Sequence, residues 1–425
     1  MNEEVFPYPI DVRDLPNGLR VITAPMPVPG AVSLFIAVRA GSRNEVEPGR
    51  SGFAHFFEHM MFRGTPRYPP ERYEAVLQET GASSNAYTSD DRTVYHTTMA
   101  SEDLPRIMEM EADRFLNLSY TPEAFRTEAL AVLGEYNKDS AEPFNKLHEV
   151  LRDTAFDVHT YKHTTMGFLR DIERMPEMYD YSRVFFDRFY RPEYTLLVMA
   201  GCVEPELANE LAARHWGGWA RGGYSARIPA EPPQSAPRTA RIHWGARTLP
   251  YITIAYRAPA FSTSGEDSAA LDLIAHLHFS ETSPLYDRLV LQEQVVDALW
   301  AQAPDHVDPY LFTVTARLKD PSAMAEVRGA ILETLDAARA ASAVEPGRFR
   351  DAQSRLRAQF ALHLDDCEFA ASMLAHYASL TGDPASLNAR YRLYAALTPE
   401  DVAAAASRIF LESQQTIVTL EMEQA

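Results

Sequence analysis

Cysteine is nearly absent. Cys202 and Cys367 are the two in 425 residues, too few for a disulfide framework, and neither has a cysteine close enough in sequence to form a CxxC redox or metal pair. Both are expected to be small, buried apolar residues. Basic charge is short as well: 40 Lys and Arg stand against 59 Asp and Glu, a formal net charge of -19. A face that binds nucleic acid has to be basic, so this balance argues against nucleic acid as a partner. It suits solubility, or a cationic or unfolded polypeptide. No apolar run approaches the roughly 20 residues of a membrane span, and no membrane partner is expected. Met1 to Asp14 mixes acids and prolines, without a basic region followed by an apolar one. No signal peptide is read there, which points to the cytoplasm, or to the periplasm if the sequence is a mature form.

Apolar content is ample, at 46%. A single core rarely extends beyond about 250 to 300 residues, so at least two domains are expected. Gly217, Gly218, Gly222 and Gly223 lead into a stretch holding Pro229, Pro232, Pro233 and Pro237, and no apolar periodicity runs through it. The two sides look like weak copies. Val32 to Arg39 parallels Ile252 to Arg257, and Thr195 to Val198 parallels Thr416 to Thr419, both at an offset of about 220 residues. Each half mixes strand-like runs with long helical ones, such as Pro122 to Asn137 and Pro346 to Leu362. The fold class expected is α+β: two homologous domains, 1–225 and 241–425, joined by a linker at 226–240. Each would be a mostly antiparallel sheet packed by helices and related by internal duplication.

The most informative stretch is His55-Phe56-Phe57-Glu58-His59. Residues four apart on a helix stand one above the other, so His55 and His59 can aim ring nitrogens at one cation, with Glu58 beside them in reach of a water on it. Phe53, Phe56, Phe57 and Met60 fall on the opposite side, as in a helix anchored in a core with a polar edge facing a cavity. A catalytic zinc generally takes three protein ligands and keeps a position for water, so two histidines need a partner. Pro122 to Asn137 offers one. Thr121 is its expected N-cap, with Pro122 in the first turn, and its apolar face is read through Leu130 and Leu133. Glu128 and Glu135 are seven residues apart and so point in nearly the same direction. Glu135 is the candidate third ligand.

The inverted motif His55 to His59, with Glu135 76 residues beyond His59 and Glu128 preceding it on its helix, resembles the pitrilysin/insulinase family of metallopeptidases, which includes the mitochondrial processing peptidase. Asn85-Ala86-Tyr87-Thr88 within Gly81 to His96 is similar to the family's edge strand that receives the substrate backbone. Tyr190-Arg191-Pro192 is similar to its closing pattern for the first domain. The resemblance implies Zn2+ held by His55, His59 and Glu135, with Glu58 as general base and Glu128 orienting a ligand histidine. Asn85 and Ala86 would then bond an extended peptide, and the activity would be that of a zinc endopeptidase on peptides or unstructured polypeptide. The duplication is not symmetric: His59 aligns with His276, but His55 with Asp272, Glu58 with Ala275, Glu128 with Ala352 and Glu135 with Gln359. Only the first half can hold metal.

One departure stands out. Self-sufficient members carry an arginine and, seven residues on, a tyrosine in the second domain, whereas the stretch Ser283 to Trp300 shows Gln292 and Leu299 there. This is similar to the zinc-bearing subunit of two-subunit members, and implies a homologous partner subunit supplying the arginine and tyrosine, or a homodimer. Two rival readings follow: a catalytically weak binding or scaffold homologue of the same fold, and a zinc hydrolase acting on a small amide or ester. His159 and His163, also four apart, are read as a solvated loop or helix-end pair, since Lys162 lies between them and no acid does. The aromatic run from Tyr179 to Tyr190 is read as core.

Overall fold

The structure is a computed structural model that describes residues 4–423. The chain forms two compact units. The first comprises residues up to Asn137, His163–Pro229 and Phe360–Leu387; the second comprises Lys138–Lys162, Ala230–Gln359 and the residues from Asn388 onward.

The first unit is built on a six-stranded sheet of β1 (Asp11–Asp14), β2 (Arg20–Pro25), β3 (Ala31–Val38), β4 (Ser83–Thr88), β5 (Thr93–Ala100) and β6 (Thr195–Gly201), ordered β1-β2-β6-β3-β5-β4. Only β2 and β6 run parallel. The second unit carries β7 (Arg238–Trp244), β8 (Tyr251–Ala258), β9 (Val296–Gln302), β10 (Tyr310–Leu318) and β11 (Gln415–Met422), ordered β7-β11-β8-β10-β9. There β7 and β11 form the parallel pair. One pattern is thus used twice: a parallel pair, two antiparallel neighbours, and an edge strand from the outer arm of a hairpin. This is the duplicated, mostly antiparallel α+β fold.

The helices that matter for the site are α1 (Phe53–Met60), α2 (Pro70–Thr80), α3 (Leu104–Asn117), α4 (Pro122–Asp139), α5 (Pro143–Ala155), α6 (Tyr179–Phe189), α7 (Glu266–Phe279), α8 (Pro346–Ala361) and α9 (Cys367–Thr381). Two of them lie with the sheet of the other half of the sequence. In the first unit α9 packs on β3 and β6, where Cys367 Sγ lies 3.4 Å from Ser33 Oγ. In the second, α5 packs on β7, β8 and β11, and its Leu147, Leu151 and Ala155 share a core with Ala255, Val418 and Leu420. The units therefore differ from a contiguous division of the sequence by the segments 138–162 and 360–387. β3 is buried along nearly its whole length, as a strand covered on both faces must be.

Packing around α1 follows from its aromatic side. Phe53, Phe56, Phe57 and Met60 are all fully buried. Phe57 stacks on Phe185 of α6 at 5.5 Å, and Phe56 meets Phe125 of α4 at 4.9 Å. Each such side chain contributes roughly 1.5–3 kcal/mol on burial, so α1 is pinned between α4 and α6. Within the aromatic run, Phe185, Phe189 and Tyr190 are buried in this core, with Tyr179, Tyr181 and Phe186 packed against it.

Three expectations are corrected. Leu130 is 52% exposed; the inward side of α4 carries Phe125, Glu128, Ala129, Val132 and Tyr136, because the glutamate that serves the site shares it. Cys202 is exposed, just beyond the last residue of β6, while Cys367 is buried. His159 and His163 are both buried rather than solvated: His159 Nε2 pairs with Asp308 at 3.0 Å, and His163 Nδ1 lies 3.7 Å from Glu45. No helix among the described residues is long and apolar enough to cross a membrane.

Candidate metal centre

Gly52 begins α1 at φ 91°, a conformation that favours glycine, and has no side chain with which to cap the helix. Glu45 does that work. Its carboxylate accepts the main-chain N–H of Gly52 and of Ala54, each at 2.7 Å, satisfying donors that the first turn leaves open. Complete burial pushes Glu45 up to about 8 despite these two donors.

From this fixed start the helix turns His55 and His59 to the same side, and α4 brings Glu135 to meet them. Glu135 Oε2 lies 3.4 Å from His55 Nε2 and 3.2 Å from His59 Nε2. One donor atom from each of the three residues falls within 4.8 Å of the others, and among the described residues this is the one such cluster of His, Cys, Asp or Glu. Zinc ligands stand about 2.0–2.2 Å from the ion, so two ligands of a tetrahedral site are separated by roughly 3.3–3.6 Å. The two spacings to Glu135 match, and two imidazoles with one carboxylate are a donor set that zinc accepts.

The opposite ring nitrogens are held as well. His59 Nδ1 is 3.0 Å from Glu128 Oε1, and His55 Nδ1 is 3.3 Å from Glu58 Oε2. Glu128 is nearly buried, and its other oxygen pairs with Arg63. Burial raises the cost of its charge, but His59 and Arg63 outweigh that and hold the carboxyl below its usual range. Glu58 follows the same pattern: burial opposes its charge, while His55 and the Thr88 hydroxyl, which donates to Oε2 at 2.7 Å, hold it below its usual range. His55 is pushed the other way. Burial disfavours its charge, yet Glu135 and Glu58 raise it to about 9.

A cavity of about 310 Å³ opens beside these groups, lined by Glu58, His59, Phe62, Arg63, Asn85, Ala86 and Glu128. Asn85 and Ala86 belong to β4, the last strand of its sheet, paired on one side only with His96 and Tyr95 of β5. Asn85 is exposed, and its Oδ1 accepts the N–H of Ala86 at 2.8 Å. Every site residue expected from the sequence is thus in this one unit, around one cavity or the donor cluster at its wall. Thr88, Arg63 and Glu45 were not foreseen in these roles. A signal existed for Thr88, which shares a strand face with Ala86; for Arg63 none did.

A profile described as "Insulinase (Peptidase family M16)" matches residues 20–168, and one described as "Peptidase M16 inactive domain" matches residues 179–356. The chain belongs to the insulinase family, peptidase family M16. A relative named zinc protease PqqE, from Helicobacter pylori, is 27% identical over 418 residues, which cover 96% of this chain and 91% of that one. Mitochondrial-processing peptidase subunit beta from Bos taurus is 31% identical over 224 residues, covering 52% of this chain and 44% of that one. Among solved structures, a protease from Helicobacter pylori superposes with a TM-score of 0.89 at 24% identity, covering 97% of this chain and all of the other. The periplasmic protease PqqL from Escherichia coli gives 0.77 at 18% identity, covering 97% of this chain and 48% of the other. These superpositions speak for the fold.

The M16 chain also shows why its second half is described as inactive. Asp272, the counterpart of His55, is bound to the buried guanidinium of Arg390 at 2.7 Å and to the Tyr394 hydroxyl at 2.6 Å. His276, Ala352 and Gln359, the counterparts of His59, Glu128 and Glu135, line two adjoining cavities of the second unit, where they supply a single imidazole and no carboxylate.

Proposed function

We propose that this chain is a zinc-dependent endopeptidase that hydrolyses extended peptides or unstructured polypeptide segments. His55, His59 and Glu135 would hold the ion, which supplies a Lewis acid for the scissile carbonyl and lowers the pKa of water towards neutrality. Glu58, ionised and held by Thr88, accepts the proton of the attacking water and later delivers it to the leaving amine. Glu128 keeps the His59 ring in place. Asn85 and Ala86 on the open edge of β4 bond the main chain of an extended substrate, a strand-addition mode that needs no particular sequence. The observation that carries this reading is the placement of Glu135 Oε2 at tetrahedral spacing from both Nε2 atoms, beside the cavity that Glu58 shares with an unpaired strand edge. Family membership and relatives named as zinc proteases support it.

Full activity is proposed to need a second subunit or a second copy of the chain. Gln292 carries no charge and donates to Asp287 at 2.5 Å, and Leu299 is buried on β9 without a polar group, so neither can stabilise a developing oxyanion. The test pairs metal analysis with cleavage of an unstructured protein such as casein. One zinc per chain is expected, with slow cleavage that a homologous partner lacking the motif accelerates. A chain that binds zinc and cleaves nothing, alone or with partners, would favour the scaffold reading; one that cleaves a small amide and ignores long peptides would favour the small-substrate hydrolase.

A further inference from the structure

The duplicated counterpart of the metal site has not simply lost its ligands; two arginines stand on the helix that corresponds to α4. In the second unit, α7 and α8 frame two adjoining cavities, of about 270 Å³ and about 530 Å³, which share His276, Ser280 and Arg355. The smaller is also lined by Arg348, Asp351 and Thr282. Arg348 and Arg355 are seven residues apart on α8, the spacing that Glu128 and Glu135 have on α4, and so face the same way. Where α4 turns Glu128 to the cavity of the first unit and Glu135 to the donor cluster beside it, α8 turns two guanidinium groups to the smaller cavity of the second.

These charges are poorly compensated. Among the described residues Arg348 makes one hydrogen bond, from Nη2 to the Leu277 carbonyl at 2.8 Å, which fixes its direction, and Arg355 makes no hydrogen bond or ion pair. Asp351 is the one carboxylate lining the smaller cavity, so a net positive charge remains. The neighbouring imidazoles register it: burial and Arg355 hold His276 below its usual range, and burial and Arg348 push His278 down to about 4. A positive cavity in a chain of net charge -19 is a local exception rather than an overflow of basic residues.

We propose that the smaller cavity is an oxyanion-binding site that takes a carboxylate borne by an acidic peptide. A guanidinium offers N–H groups in a planar fork that matches a carboxylate, and such charge-assisted bonds are about twice as strong as neutral ones. The adjoining larger cavity, lined by Tyr286, Leu299 and Trp300, gives room for the chain that carries the carboxylate; it also holds Glu281 and Asp297, the latter paired with Arg317, so the net positive charge is confined to the smaller cavity. The peptide origin of the carboxylate rests on the peptidase reading; the anion site does not.

The test is calorimetric titration of the full zinc-loaded chain with a short peptide ending in glutamates, its glutamine and amide analogue, and inorganic phosphate. The acidic peptide binds, phosphate competes with it, and the uncharged analogue binds at least tenfold more weakly. Arg355→Gln lowers affinity for the acidic peptide by roughly tenfold or more, the value of one charge-assisted bond, while Arg355→Lys keeps part of it. Arg355 is exposed, so the melting temperature of both variants should match that of the unaltered chain. Glu58→Gln leaves this binding unchanged, which separates the site from hydrolysis. Equal affinity for the acidic and uncharged peptides, or no effect of Arg355→Gln, overturns the proposal. Binding of phosphate without binding of the acidic peptide rejects the peptide as the source.

Discussion

His59 is gripped from both sides: its Nδ1 stands 3.0 Å from Glu128 Oε1 while its Nε2 faces Glu135 Oε2 at 3.2 Å. The pairing with Glu128 fixes which nitrogen is free to bind a metal and which way the ring is turned. Removing such an outer partner typically costs 10–100-fold in metal affinity. Glu128→Ala is therefore expected to weaken zinc binding by about that factor, measured by competition with a chromophoric chelator, with an intact fold by circular dichroism. Unchanged affinity would show that α4 and the core hold the ring without help. Glu135→Ala removes a donor altogether and should lose zinc to dialysis, whereas Glu58→Gln should keep it and lose peptide hydrolysis by roughly 10²–10⁴-fold.

How much of this site was legible depends on how local each relationship is. His55, Glu58 and His59 lie within two turns of one helix, and the aromatic residues opposite them follow from the same period, so this part could be read directly. Glu128 and Glu135 could be paired by their spacing, and Leu133 packs against the core as expected, but Leu130 misled. The buried side of that helix contains Glu128 itself, stabilised by His59 and Arg63, and an apolar-face reading cannot anticipate a buried carboxylate whose partners lie 65 and more residues away. The placement of α5 and α9 against the sheet of the other half was hidden for a similar reason. α5 is amphipathic and α9 is apolar on nearly every side, and nothing in either pattern says which sheet it will cover.

The start of α1 is a second point of sensitivity. Gly52 adopts φ 91°, and a Cβ added there would stand 2.3 Å from Ile172 Cδ1 and 2.9 Å from the Met166 carbonyl oxygen. Gly52→Ala therefore combines backbone strain with a clash on main chain that cannot rotate away, an expected cost of about 2–4 kcal/mol. Urea unfolding of the metal-free chain should show this loss, and zinc affinity should fall with it because His55 is three residues on. A variant as stable as the parent would mean that the 163–172 segment, which ends in the short helix Leu169–Ile172, yields easily.

A pH effect is expected away from the metal. His278 is buried on α7, and burial together with Arg348 lowers it from 6.5 to about 4. The folded state thus keeps His278 neutral where the unfolded chain protonates it. Its contribution to stability is fully present above pH 6.5 and is lost as the pH falls from there to about 4, by an amount on the order of 3 kcal/mol. Measured as unfolding free energy against pH, His278→Phe should have a shallower slope than the parent across that window and the same slope above it. Parallel curves throughout would mean that His278 titrates normally.

Thr88 gives the most specific prediction for the chemistry. Its hydroxyl donates to Glu58 Oε2 at 2.7 Å from the end of β4, the same strand that bears Asn85 and Ala86. The bond does two things at once: it keeps the carboxylate turned towards the cavity, and it ties the position of the base to that of the strand proposed to hold the substrate. Thr88→Val preserves shape and removes the donor. It should lower kcat by about tenfold, the value of one hydrogen bond to a charged group, while zinc content and melting temperature stay near those of the parent. Without the donor, the Glu58 carboxylate also loses one of the groups that hold it below the usual range, so the acid limb of the kcat profile should move to higher pH. Thr88→Ser restores the hydroxyl and should recover most of the rate. A valine variant with unaltered kcat and acid limb would show that His55 alone, 3.3 Å from the same oxygen, suffices to orient the base.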